Sequence, residues 1–114
     1  MARSHEHVLD DMREAIDGIL GAVKGKTLRD YEREWLLRSA VQRGVEVISE
    51  ASRRLPDDAC ARRPEIPWRQ VRAVGNVLRH EYHAIPGLLI WRIAVDELPK
   101  LRVAVLALRE ELKP

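Results

Sequence analysis

Between Val8 and Leu112 the apolar residues return every three or four positions, and no segment alternates apolar with polar. A period near 3.6 selects helices, and a chain without alternating segments offers a sheet no amphipathic strand. Ser4 is placed to cap a first helix, on which Val8, Met12, Ala15, Ile16, Ile19 and Val23 share a face. "GKT" at 25 to 27 stops that pattern, with Gly25 suited to a helix C-terminus. It lacks the upstream glycine and the preceding strand of a phosphate-binding loop.

Thr27 and Asp30 form a capping pair that opens a long second helix, running to about Arg54 before Pro56. Leu37, Ala40, Val41, Gly44, Ile48, Ala51 and Leu55 make its seam. Gly44 costs a helix about 1 kcal/mol against Ala, which a close helix crossing there would explain. Residues 56–67, with three prolines, read as a linker. Pro67 and Trp68 start a third helix that reaches about Ala84, and Pro86-Gly87 interrupts it. A fourth helix carries Leu88, Leu89, Trp91, Ile93 and Ala94. Pro99 opens a fifth, with Leu101, Val105, Leu108 and Leu112. The expected fold is all-α, an antiparallel bundle of four to five helices with a kinked or broken last section, in one domain over residues 1–114.

Hydrophobic residues are 46% of the chain and Phe is absent, so Leu, Val, Ile and Ala must fill the core. A net charge of +2 is too small to establish a nucleic-acid partner, so local clustering has to carry that argument. The single Cys60 excludes an internal disulfide and a cysteine zinc site, and a free thiol fits a reducing cytosol. The N-terminus lacks the apolar core of a signal peptide, and no apolar run approaches the ~18 residues of a membrane span. A soluble cytoplasmic protein is expected.

The chemistry concentrates on the third helix. On its wheel Val71, Val74, Leu78 and Ile85 take one side with Val77 beside them. Arg69, Arg72, Asn76, Arg79, His80 and His83 take the other, and Gly75 and Tyr82 share the border. A solvated face is one reading of that stripe. Three arginines, two histidines and an amide with no carboxylate at the centre support another. Such a face can hold phosphate and move a proton near neutral pH. RNA cleavage without a metal needs both capacities. Flanking arginines oppose a dication at His80 and His83, so neither metal nor cofactor is expected.

"IPWRQVRAVGNVLRHEYHAI…LLIWRIAVDELPKL", together with "RGVEVISEASRRL" and its Glu50-Ala51 pair, resembles the HepT-like toxins of the HEPN superfamily. The resemblance covers nearly the whole chain in order and spacing. It implies a homodimeric helical bundle acting as a metal-independent endoribonuclease on structured RNA of the tRNA class. It also implies a toxin of a type VII-like toxin–antitoxin pair. The partner is a minimal, MntA-like nucleotidyltransferase that neutralises the toxin by transferring AMP to a tyrosine. The family motif is Arg-x4-to-6-His-x-Tyr, and His80-Glu81-Tyr82 match its second half. By that match His80 is the general acid or base and Tyr82 the AMP acceptor.

The family usually opens the motif with Arg-Asn; Asn76 keeps the amide, but Gly75 stands where the family places arginine. Arg79 or Arg72 would then supply the catalytic cation, with Arg69, Arg72, Arg79 and His83 binding RNA. On this reading Gly75→Arg changes cleavage little, whereas in a site crippled by the glycine it raises cleavage. Gly75 also favours an alternative, a non-catalytic dimeric module that binds RNA, a nucleotide or a nucleotidyltransferase. A dimeric structural protein without a phosphate ligand is a third possibility. Glu50 is expected in a salt bridge with Arg53 or Arg54, and Trp35, Trp68 and Trp91 as core or interface anchors. His5 and His7 are expected in a loose turn, and Cys60 without chemistry.

Overall fold

The structure, a computed structural model, describes residues 5–113, apart from the side chain of Tyr82. The Ser4 cap lies outside the described residues. Helix α1, His5–Val23, buries Val8, Leu9, Met12, Ile16, Ile19 and Val23, the face that the spacing predicts with Leu9 added and Ala15 only half-buried. His5 and His7 belong to this helix and not to a loose turn. Gly25, at φ 74°, ends the segment, and the Lys26 N–H donates to the Val23 carbonyl at 2.9 Å.

The long second helix is two helices. α2, Leu28–Arg33, is opened by a reciprocal capping box in which Asp30 N–H donates to Thr27 Oγ1 and Thr27 N–H to Asp30 Oδ2. At Glu34 the backbone becomes extended, φ −95° and ψ 106°, and α3 follows as Trp35–Ser52. Side chains make the break tolerable. Arg38 donates back to the carbonyls of Tyr31 and Glu32, and Lys26 Nζ pairs with Glu34 at 3.2 Å. The change of direction buries Tyr31, whose ring lies 5.9 Å from that of Trp91.

The linker at 56–67 is also more ordered than its prolines suggest. Asp57–Ala61 form the short helix α4, and Ala59, Cys60 and Ile66 are buried. Two aspartates at its start suit the positive end of the helix dipole. Helix α5 is Trp68–Glu81 and passes into a 3-10 turn, Tyr82–Ala84, three residues earlier than expected.

The fourth and fifth helices are one run. α6, Gly87–Arg92, continues through a wide π turn at Ile93–Glu97 into α7, Leu98–Glu111. Leu98 N–H donates to the carbonyl of Ile93, five residues back. Pro99 has no N–H to give the preceding turn, and one extra residue there absorbs the missing bond without stopping the helix.

α1 packs between α3 and α7, α3 between α1 and α5, and α6 against α2. Gly44 lies at the α1–α3 crossing, where a Cβ would stand 2.5 Å from Ile19 Cδ1, so the close approach expected at this glycine is present. The bundle is all-α among the described residues, and no described helix is long and apolar enough to cross a membrane.

Arginines tie α7 to α1. Arg102 Nε donates to Asp17 at 2.7 Å, and Arg109 reaches Asp10 and Glu6 at 2.9 and 2.8 Å. Arg63 pairs with Glu111. The hydrogen bond from Arg102 holds the Asp17 carboxyl below its ordinary 3.8, and the one from Arg63 holds Glu111 below 4.5. A depressed carboxyl contributes stability above its unfolded value and loses it as pH falls through its folded value. The melting temperature is therefore expected to hold from pH 7 to about 5 and to fall below about pH 4. Arg102→Ala should flatten that fall, and thermal scans across this range check it. All these carboxylates are solvent-accessible, so added salt should shrink the effect.

Candidate functional site

Helix α5 is held against α3 by an antiparallel clasp whose centre is Gly75. Gly75 is buried, and its N–H donates to Ser49 Oγ at 3.0 Å. The Ser49 hydroxyl donates in turn to the Arg72 carbonyl at 3.0 Å, and Arg53 Nε donates to the same carbonyl at 2.9 Å. A Cβ on Gly75 would stand 2.6 Å from Ser49 Cβ and 3.4 Å from Glu46 Cα. Gly75 is therefore not on the border of a polar face. It is the point of closest approach between two helices.

Arg72 completes the clasp from the other side. Its Nε donates to the Ser52 carbonyl at 3.4 Å and its Nη2 to the Leu55 carbonyl at 3.0 Å. Nη1 reaches Asp57 at 3.3 Å, and Nη2 lies 3.1 Å from Cys60 Sγ. These contacts satisfy carbonyls where α3 ends. Burial pushes the Cys60 thiol up, so the neighbouring guanidinium does not make it a reactive thiolate.

The remaining predicted residues lie on the outer face of α5. Arg69, Asn76, Arg79 and His80 are exposed, with Asn76 and His80 one turn apart. His83 is exposed in the 3-10 turn. Each 3-10 residue advances about 120° instead of 100°, which keeps His83 near the line through Asn76 and His80. The backbone of Tyr82 begins that turn, and its side chain lies outside the described residues.

One group escaped the sequence reading. Arg79 Nε stands 3.5 Å from Glu46 Oε1, on α3. The pair borders a small cleft of about 160 Å³, lined among others by Asp11, Arg43, Glu50 and Arg54. Glu50 pairs with Arg53 at 3.2 Å and with Arg54 at 3.8 Å, as expected. Glu46 carried a signal in sequence, four residues before Glu50 in "EVISE", but the wheel of one helix cannot reveal a carboxylate delivered by another.

The side of α5 expected to be packed is only partly so. Leu78 is buried, Val71, Val74 and Ile85 are half-buried, and Val77 is exposed. Val71 and Val74 line an open apolar groove of about 650 Å³, facing Ile93, Leu98 and Leu101, with Glu65, Glu97 and Lys100 around it. Trp68 is buried and Trp91 half-buried, whereas Trp35 is 68% and Leu36 75% exposed. Among the described residues no group of three or more His, Cys, Asp or Glu stands close enough to hold a metal ion.

The family described as ribonuclease HepT-like matches residues 12–108, which includes the clasp, the polar face and the π turn. The chain belongs to the HepT-like ribonuclease family. A probable ribonuclease HepT of Thermococcus cleftensis is 32% identical over 90% of this HepT-like chain and 93% of its own length. A putative RNase of Methanocaldococcus jannaschii is 30% identical over 85% of this chain and 89% of its own. Another, from Caldanaerobacter subterraneus, is 29% identical over 88% and 86%. No solved structure matches this HepT-like chain.

Proposed function

We propose that this chain is a metal-independent endoribonuclease that cuts structured RNA of the tRNA class. The observation that carries the reading is the exposed Asn76, Arg79 and His80 on the last turns of α5 in a member of a ribonuclease family. His80 takes the proton of a 2′-hydroxyl or returns one to the leaving oxygen. The 2′-oxygen bonds to phosphorus as the bond to the 5′-oxygen breaks. Arg79 stabilises the charge that collects on the phosphate, and Asn76 orients it by hydrogen bonding. Arg69 and His83 extend the RNA contact. Arg72 is assigned to the fold, because its guanidinium is already shared among carbonyls, Asp57 and Cys60. His80→Ala should lower cleavage of bulk tRNA by about 100-fold or more, with EDTA present throughout. Equal cleavage by both proteins, or none by either, removes the assignment.

The active form is proposed to be a homodimer, since proton transfer at two oxygens needs an acid and a base. The open groove lined by Val71 and Val74, with Val77 exposed three residues further along the same helix, supports a second copy there, because that helix also carries the polar face. Val77→Asp changes an exposed side chain. It should turn a dimer into a monomer by light scattering and reduce cleavage with it. A wild-type monomer at micromolar concentration would rule the dimer out.

The reading extends to a cytoplasmic toxin of a type VII-like toxin–antitoxin pair. An MntA-like nucleotidyltransferase would neutralise it by placing AMP on Tyr82. The position of Gly75 in the family motif favours a second reading, a non-catalytic dimeric module for RNA, nucleotide or nucleotidyltransferase. RNA binding that survives His80→Ala, with no cleavage by the wild type, would select it.

A further inference from the structure

We propose that Glu46 is a positioning residue that aims Arg79 at the scissile phosphate. The inference rests on the ribonuclease reading above and adds to it a residue from a different helix. Three observations support it. First, the closest approach is made by Nε of Arg79, 3.5 Å from Glu46 Oε1. An arginine held at Nε keeps both Nη groups for a bidentate contact with phosphate oxygens. Second, the two partners are unequally exposed, with 19% of the Glu46 side chain accessible against 53% of Arg79. The carboxylate is therefore the fixed member and the guanidinium the outward one. Third, Glu46 lies beside the glycine clasp, its Cα 3.4 Å from where a Cβ at position 75 would stand.

Gly75 and the place of the cation are then linked. Without a side chain at Gly75, α5 comes close enough for a carboxylate of α3 to reach a residue one turn further along. That residue is Arg79. The cation thus sits at position 79 and is steadied from across the crossing, instead of standing at position 75. Holding the fork in place lowers the cost of ordering it as charge develops on the phosphate. Arg79 stays cationic without Glu46, so the effect should fall on turnover more than on RNA binding.

The test is a double-mutant cycle on cleavage of bulk tRNA, using wild type, Glu46→Ala, Arg79→Ala and the double variant. Glu46→Ala is expected to lower kcat about tenfold while KM stays within about twofold. Glu46→Gln keeps an acceptor oxygen in the same place and should fall between wild type and Glu46→Ala. It also takes the place of Glu46→Ala if the truncated protein does not fold. In the Arg79→Ala background, loss of Glu46 should cost nothing further. Additive losses, or a rise in KM at constant kcat, would overturn the role of Glu46 and leave the ribonuclease reading standing. A wild type that cleaves neither bulk tRNA nor total RNA overturns both.

Discussion

Gly75→Arg is expected to lower stability by about 3 kcal/mol and to lower cleavage with it, not to restore the arginine of the family motif. The motif comparison alone points the other way, because it treats position 75 as an open place on a polar face. The added Cβ would meet Ser49 Cβ at 2.6 Å and Ser49 Oγ at 2.8 Å, with Glu46 Cα behind them. The nearest atoms belong to a short side chain next to the backbone, so α5 itself must shift. Moving it strains the bonds from Gly75 N–H to Ser49 and from Ser49 and Arg53 to the Arg72 carbonyl. Gly75→Ala should show the same effect in smaller measure, about 1–3 kcal/mol in urea denaturation. Combining it with Ser49→Gly should cost less than the sum of the two single changes, because the space is then returned. Full additivity would mean that the crossing is not what selects glycine.

The second large effect separates two arginines that look equivalent in sequence. Arg72→Ala is expected to destabilise the fold by about 3 kcal/mol, since it leaves the carbonyls of Ser52 and Leu55 without a charged donor. Arg79→Ala should cost at most about 1 kcal/mol of stability, its one ion pair being solvent-accessible on the arginine side. On cleavage Arg79→Ala should lose about 100-fold or more, because a cation at the reacting phosphate acts most strongly in the transition state. The paired measurements are melting curves and initial rates on bulk tRNA. A stable Arg72→Ala protein with cleavage abolished would transfer the phosphate role to Arg72.

Much of the fold was legible from spacing. The buried face of α1, the Thr27–Asp30 capping box and the tight glycine in α3 each depend on contacts a few residues apart or on helical period. The misreadings share a cause. The second helix can break at Glu34 because Arg38 donates to the Tyr31 and Glu32 carbonyls, which a continued helix would have satisfied. The π turn before Pro99 keeps α6 and α7 in one run where proline alone suggests a stop. In both cases side chains or an extra residue repaired a backbone bond, and propensity does not register such repairs.

The sequence by itself determined that this chain is helical and that α5 turns Asn76, Arg79 and His80 to water. Those facts follow from a 3.6-residue period acting along one helix. Only the tertiary structure decided where Gly75, Arg72 and Glu46 stand relative to one another. Gly75 and Ser49 are 26 residues apart, and nothing local marks them as partners. Their approach places Arg72 in the clasp, leaves Arg79 outward and brings a carboxylate from α3 beside it. The distance between two packed helices is set by the side chains at their crossing, and that information lies in the pairing of segments rather than in either one.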